Sequence, residues 1–313
     1  MSFCRSSLTA LCLLAAATGC RTQVPVEPRT TPASAPAAVS DLTVAPSDDR
    51  LGGVLWTQTS AEYRALALAA FARARIELDR ALAERGATAA LEQQGEFADL
   101  PPAVIADVDE TLLDNSPYEA DRIRAGGRYE AVSWGAWVNR ARATPVPGAL
   151  EFARYAAERG VTIFYVTNRA APLEAKTRAN LEALGFPLAA DRDTVLVPGE
   201  RPDWSSDKTT RRAEVASAFR ILLLVGDDLG DFVSGARAAP EARLALADRF
   251  ADRWQKSWIL LPNPYYGSWE RALLGNAREL SAEEVRRLKM ERLRGSGDEP
   301  APRESDNPGK LQD

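Results

Sequence analysis

Four carboxylates, a threonine and a lysine stand in this sequence where short apolar runs stop. Val104-Ile105-Ala106 leads into Asp107-Val108-Asp109-Glu110-Thr111. An apolar run of this kind reads as a buried strand of a parallel sheet. Asp107 and Asp109 are two residues apart, so on an extended chain they share one side. Two anions so placed repel unless a cation lies between them or one keeps its proton. Further on, Phe164-Tyr165-Val166 runs into Thr167-Asn168-Arg169, and Ile221 to Val225 runs into Gly226-Asp227-Asp228-Leu229-Gly230-Asp231. Between them, Asp207-Lys208-Thr209 opens a predicted helix. In an open α/β sheet, ligands bind outside the carboxyl ends of the strands. Acidic oxygens and a lysine gathered there suit metal-assisted chemistry on a phosphate.

Composition narrows the choices. The chain has 313 residues, 45% of them hydrophobic, and a net charge of −5. No basic stripe suggests a nucleic-acid polymer as partner. There is no histidine. That removes Ser-His-Asp hydrolysis, phosphohistidine chemistry and histidine-ligated zinc. A metal must then be held by oxygen, which favours Mg²⁺, Ca²⁺ or Mn²⁺. The cysteines are Cys4, Cys12 and Cys20, all ahead of the globular part, so that part has neither disulfide framework nor thiol nucleophile.

Strands alternating with helices must position these groups. Predicted strands are 103–109, 162–167, 194–197, 221–226 and 258–261; predicted helices include 148–159, 173–184 and 208–218. Such alternation implies an α/β fold, a Rossmann-like parallel sheet with helices on both faces. A long helix precedes the sheet, with Thr59 and Glu62 spaced as a capping box and Gly86 as its end. Its apolar positions Tyr63, Ala67, Phe71, Ala74, Leu78 and Leu82 recur at helical spacing. A charged helix over 281–294 carries a second capping box, Ser281 with Glu284. The flanking helices are expected to form a small α-helical subdomain beside the sheet.

The predicted domain occupies 50–294, with its core at about 101–265. Residues 1–19 resemble a secretory signal, with Arg5 ahead of an apolar run too short to span a bilayer. Ala17-Thr18-Gly19-Cys20 resembles a bacterial lipobox, which makes Cys20 the lipidated residue and 1–19 the signal peptide. Several acyl chains there, palmitate among them, anchor a protein stably. Arg21 follows, which by resemblance to lipoprotein sorting favours the outer membrane of a bacterial envelope. Residues 20–49, rich in Pro, Ala, Ser and Thr, read as a flexible tether. Residues 295–313 read as a disordered tail.

The strand-end segments resemble the four motifs of the haloacid dehalogenase superfamily of phosphohydrolases. They are most similar to class C acid phosphatases, the outer-membrane lipoprotein 5′-nucleotidase family. The likeness rests on Asp107-Val-Asp-Glu-Thr-Leu-Leu-Asp-Asn-Ser-Pro-Tyr118, Trp134-Gly-Ala-Trp137-Val138, Pro145 to Phe152, Tyr165-Val-Thr-Asn-Arg169, Gly226 to Phe232, and Leu261-Pro-Asn-Pro-Tyr-Tyr-Gly-Ser-Trp269-Glu270. It runs from about Leu55 to Glu270. Two departures stand out: Asp228 where the family often has Asn, expected to matter little, and Pro264-Tyr265 ahead of Tyr266.

The resemblance implies Asp107 as nucleophile, forming an aspartyl-phosphate, and Asp109 as acid and then base. It implies one Mg²⁺ on the Asp107 carboxylate, the Asp109 backbone carbonyl and the Asp227 carboxylate, with Asp231 binding or orienting a metal water. Thr167 would bond a phosphoryl oxygen, and Lys208 would neutralise charge there. Trp134, Trp137 and Tyr266 are read as loop aromatics. Stacking of a nucleobase is expected for Trp134 and Tyr266, and core packing for Trp137. Asn115, Asn168 and Arg169 are placed at the same mouth. The expected activity is Mg²⁺-dependent hydrolysis of phosphomonoesters, nucleoside 5′-monophosphates above all, by a possible homodimer. The alternatives are a broad sugar or aryl phosphatase and a non-enzymatic lipoprotein binding haem or another planar ligand.

Overall fold

In the computed structural model, residues 48–277 and 280–297 are described. The signal segment with Cys20, most of the tether and the tail beyond 297 lie outside them. The helices are α1 Leu51–Thr59, α2 Ala61–Ala83, α3 Ser116–Arg124, α4 Ala131–Asn139, α5 Ala149–Glu158, α6 Glu174–Leu184, α7 Thr209–Ala218, α8 Pro240–Arg249, α9 Ala251–Trp254, α10 Ser268–Leu273 and α11 Ala282–Arg292. The strands are β1 Pro102–Ala106, β2 Leu113–Asp114, β3 Thr144–Pro145, β4 Thr162–Val166, β5 Val195–Leu196, β6 Arg220–Gly226 and β7 Trp258–Leu260. No described helix is long and apolar enough to cross a membrane.

Five strands form one parallel sheet in the order β5-β4-β1-β6-β7. β2 and β3 pair as a separate antiparallel ribbon. The strand sequences are almost wholly apolar because both faces of a parallel sheet are covered. One face carries Val104, Ala106, Ile163, Tyr165, Val225 and Ile259, packed under α2 and α5. The other carries Ala103, Ile105, Phe164, Val166, Leu224 and Trp258, packed with α7 residues Val215 and Ala216 and with Trp204, Phe219 and Phe232. In β6 the alternation breaks: Leu222 and Leu223 both join the first face. The pairing with β1 shifts register at this point, between Ala103 and Val104. The extra residue is a bulge, and it sets the phase of everything after it in β6.

The sheet's outer strands are very short, and some of their outward backbone groups are engaged by side chains. At β5, Asp193 Oδ1 accepts from Val195 N (2.9 Å) and Glu200 Oε2 from Val197 N (3.0 Å). At β7, Arg73 Nη2 donates to the Trp258 carbonyl (2.7 Å).

Two sequence expectations about helices change. The cap of the long helix is Ser60, whose hydroxyl accepts from Tyr63 N at 3.0 Å. Thr59 instead closes α1, a helix that sequence reading missed, by donating to Leu55 O (2.7 Å). Helix α2 stops at Ala83 rather than at Gly86; the buried Arg220 takes the carbonyls of Ala81 and Glu84 (3.3 and 2.8 Å) and so satisfies its end. Helix α2 itself packs on β6 and β7 and against α5. Its buried stripe packs against α5, with the Phe71 and Phe152 rings 5.7 Å apart. The remaining small helices group as α1 with α3, and α10 with α8 and α11. The Ser281–Glu284 capping box is present on α11.

Candidate active site

Parallel pairing puts the residues after β1, β4, β6 and β7 at one end of the sheet. Asp107 follows the central strand directly, its N–H bonded to the Val225 carbonyl (2.9 Å). One carboxylate oxygen accepts from Lys208 Nζ, the N-cap residue of α7. Lys208 also pairs with Asp231 Oδ1 at 2.7 Å. The other oxygen of Asp231 accepts from Asp227 N and Asp228 N (3.1 and 2.9 Å), which turns this segment back on itself. Gly226 makes that turn possible: a Cβ there would lie 2.3 Å from Asp231 Oδ2. Asp227 is held by Thr111 Oγ1 at 3.0 Å and Asn263 Nδ2 at 2.8 Å.

One carboxylate oxygen from each of Asp107, Asp227 and Asp231 falls within 4.8 Å of the others. Burial raises the Asp107 carboxyl; the Lys208 ammonium opposes this, Asp231 and Asp109 add to it, and the result is pushed up to about 7. Burial, then Asp107 and Asp231, hold Asp227 well above the usual carboxylate range. Burial works to lower Lys208, but Asp107 and Asp231 outweigh it and keep its ammonium above the ordinary lysine range. Three carboxyl groups, Asp107 and Asp231 buried and Asp227 half-buried, thus crowd around a single ammonium. An all-oxygen donor set with such an excess of carboxyls fits a hard divalent cation. A second acidic trio, Glu174, Asp193 and Glu200, lies along the edge strand β5. It is occupied with Arg178 and the β5 backbone.

The Asp109 side chain stands apart from the trio. Arg169 grips it through Nε (2.9 Å) and Nη2 (2.7 Å), Asn115 Nδ2 donates at 2.9 Å, and Thr167 Oγ1 at 3.3 Å. Arg169 is only 2% exposed, so it faces Asp109 rather than open solvent at the mouth. Asn168 is exposed and bonded to Arg211 Nη2 (2.7 Å) and to the Ser206 carbonyl (3.0 Å).

The aromatic residues read as loops are partly helical. Trp134 and Trp137 lie on α4, where Gly135 had obscured the periodicity. Trp137 is buried and donates Nε1 to Asn115 Oδ1 at 2.8 Å. Trp134 is half-buried, 5.1 Å from the Tyr118 ring, with the Arg169 guanidinium carbon 5.6 Å from its centre. Tyr266 does lie in a loop, after β7, and its hydroxyl donates to Glu110.

Sequence reasoning missed a supporting layer. Glu110 is 2% exposed, has φ +56°, and accepts from Asn115 N (2.8 Å) and Tyr265 OH (3.0 Å) besides Tyr266. Burial, then the Asp109 charge, pushes its carboxyl up to about 8. Arg211 and Arg212 are fully buried. Arg211 Nη1 donates to the Thr167 carbonyl at 2.5 Å. Arg212 bonds the Gly230 and Asp231 carbonyls (3.1 Å each) and pairs with Glu92 at 2.7 Å. Asp228, expected to matter little, accepts from Ser268 N and Oγ (2.6 Å each) and from Gly230 N (2.8 Å). It therefore fixes the loop that carries Tyr266. In the sequence these residues look like ordinary surface charges; the one available signal was their place within or beside the motif strings.

The chain is similar to known proteins. Residues 31–269 match the family described as HAD superfamily, subfamily IIIB (Acid phosphatase). The class C acid phosphatase from Bacillus anthracis superposes with a TM-score of 0.71 at 31% identity, covering 80% of this chain and 98% of that one. A second structure of that protein, with tungstate bound, compares equally. Acid phosphatase 1 of Solanum lycopersicum is 29% identical over 167 residues, 52% of this chain and 63% of its own. The Stem 28 kDa glycoprotein of Glycine max is 25% identical over 162 residues, 51% of this chain and 57% of its own. The chain thus spans less than two thirds of the length of these curated plant relatives. With the family matched over most of its length and the fold shared, the chain belongs to subfamily IIIB of the HAD superfamily, the acid phosphatases, which are phosphoric monoester hydrolases.

Proposed function

We propose that this protein hydrolyses phosphomonoesters through an aspartyl-phosphate on Asp107, with a divalent cation, Mg²⁺ foremost, held at Asp107, Asp227, Asp231 and the Asp109 backbone carbonyl. The observation that carries the reading is the trio of carboxylate oxygens within 4.8 Å, bridged by Lys208, at the carboxyl end of the central strands. The tungstate bound in the Bacillus anthracis structure, a tetrahedral oxyanion, supports an oxyanion as ligand here. When bound, the cation supplies positive charge against the phosphoryl oxygens.

Each residue then has a task. An Asp107 oxygen forms a bond to phosphorus while the bond to the leaving oxygen breaks. Asp109, aimed by Arg169 and Asn115, gives that oxygen a proton. Asp109 next takes a proton from water, whose oxygen attacks phosphorus and releases Asp107 and inorganic phosphate. Lys208 offsets charge on the nucleophile and the transferred group, and Thr167 donates to a phosphoryl oxygen. Trp134 and Tyr266 supply ring faces for a nucleobase, each stack worth about 1–3 kcal/mol. Nucleoside 5′-monophosphates are the substrates this favours. The resemblance of residues 17–20 to a lipobox supports lipidation at Cys20 and a position in the bacterial cell envelope.

Asp107→Asn tests the chemistry. Phosphate release from a nucleoside 5′-monophosphate should fall to background while circular dichroism is unchanged. Activity near wild type would remove Asp107 as nucleophile. EDTA should abolish activity, and added Mg²⁺ should restore it; restoration by Mn²⁺ alone would correct the metal.

A further inference from the structure

The segment after β7, residues 261–267, carries Tyr266 and contains two prolines and a glycine but no helix or strand. Carboxylates from the loops that build the acid trio pin it at three places. Asp227 takes Asn263 Nδ2, Asp228 takes Ser268, and Glu110 takes both tyrosine hydroxyls, Tyr265 at Oε1 and Tyr266 at Oε2. Of the three, Glu110 alone touches the aromatic side chains. It is also the costly one. A non-glycine residue in the left-handed region is disfavoured by roughly 1–2 kcal/mol, and its carboxylate is buried. None of the groups assigned to the phosphoryl chemistry touches Glu110 directly. Its remaining partner, Asn115, reaches Asp109 and Trp137 of α4.

We propose that Glu110 is the positioning residue for leaving-group recognition: it clamps Tyr265 and Tyr266, so that preference for planar aromatic leaving groups depends on a side chain no substrate touches. This rests on the phosphatase reading above and deepens it. Without the clamp, the loop keeps its anchors at Asn263 and Ser268, but the Tyr266 ring is free to turn and a stacked leaving group loses its platform. Phosphoryl contacts from Thr167 and Lys208 do not pass through Glu110, and a slackened Asn115 beside Asp109 slows both kinds of ester alike, so the loss peculiar to aromatic esters falls on their KM.

The test compares p-nitrophenyl phosphate with glycerol 2-phosphate in wild type, E110A, E110Q, Y266F and the E110A/Y266F double variant. The readout is the ratio of kcat/KM for the aryl ester to that for the glycerol ester. E110A should lower this ratio at least fivefold, through KM of the aryl ester. Y266F should lower it similarly, and the double variant should be no worse than E110A within about twofold, since E110A already removes the Glu110–Tyr266 contact that Y266F deletes. E110Q, whose amide can accept from one tyrosine and donate to the other, should recover part of the preference. An unchanged ratio in E110A, or losses that multiply in the double variant, overturns the proposal. Should E110A fail to fold by circular dichroism, Y265F and Y266F decide: a wild-type ratio in both overturns it. If wild type hydrolyses neither ester, the phosphatase reading fails and the clamp falls with it.

Discussion

Glu110 and Asp107 sit as buried carboxyls above their usual range, at about 8 and about 7. Their sign for stability follows from linkage. A carboxyl raised on folding contributes fully below its unfolded value and loses that contribution as pH climbs through the folded value. The metal-free protein should therefore melt at a higher temperature near about pH 5.5 than near about pH 8.5, the reverse of the usual salt-bridged aspartate. Thermal melts in EDTA across that range check this; a flat or rising profile would contradict the burial argument. Mg²⁺ should restore the melting temperature most at the alkaline end, where Asp107 is ionised. Gly226→Ala would drive a methyl into the Asp231 carboxylate. Mg²⁺ affinity by calorimetry should drop by about 10–100-fold, the range seen when groups that orient ligands are disturbed. At this scale the sequence was readable where acids follow an apolar run, as at Asp107 and Asp227. It was silent at Glu110, Arg211 and Arg212, because adjacent charged residues give no sign of being buried until the fold supplies their partners.

Among the elements, the strands were legible because a covered parallel sheet demands unbroken apolar runs. Helices were less so at their ends. Thr59 and Glu62 had the spacing of a cap, yet Ser60 does the work, since the chain needs a break there to turn α1 into α2. Ser60→Ala should cost about 1 kcal/mol in urea unfolding, and Thr59→Ala measurably less. Helix α4 escaped notice because Gly135 interrupts its pattern and its two tryptophans look like binding-loop residues. Helix α7 holds the site from below through Lys208, Arg211 and Arg212. Removing Arg212 as Arg212→Met leaves Glu92 without its ion-pair partner and two carbonyls without a donor. A loss of about 3–5 kcal/mol is expected from breaking a buried pair in this way, measured by the shift in denaturation midpoint.

For the whole molecule, alternation of strands and helices was enough to give the fold class, since it constrains the sheet to be parallel and its ligand to lie at one end. The strand order was not readable, because no residue marks which strands are neighbours. The proposed lipid anchor belongs to this scale too: Cys20→Ser should move the protein from the membrane fraction to the soluble fraction after cell lysis, leaving phosphatase activity per molecule unaltered. A variant that stayed with membranes would remove the lipobox reading.

The guarded outer strands have their own consequence. With Asp193 and Glu200 plugging N–H groups on one side, and Arg73 taking a carbonyl on the other, an incoming peptide finds only two or three residues of strand at each border, part of their backbone already taken. Two copies of this chain should therefore meet through side chains of their helices and loops, not by extending the sheet from one molecule into the next. Replacing Asp193 and Glu200 by alanines would unblock one border and should make the protein prone to ordered aggregation long before its chemistry is touched.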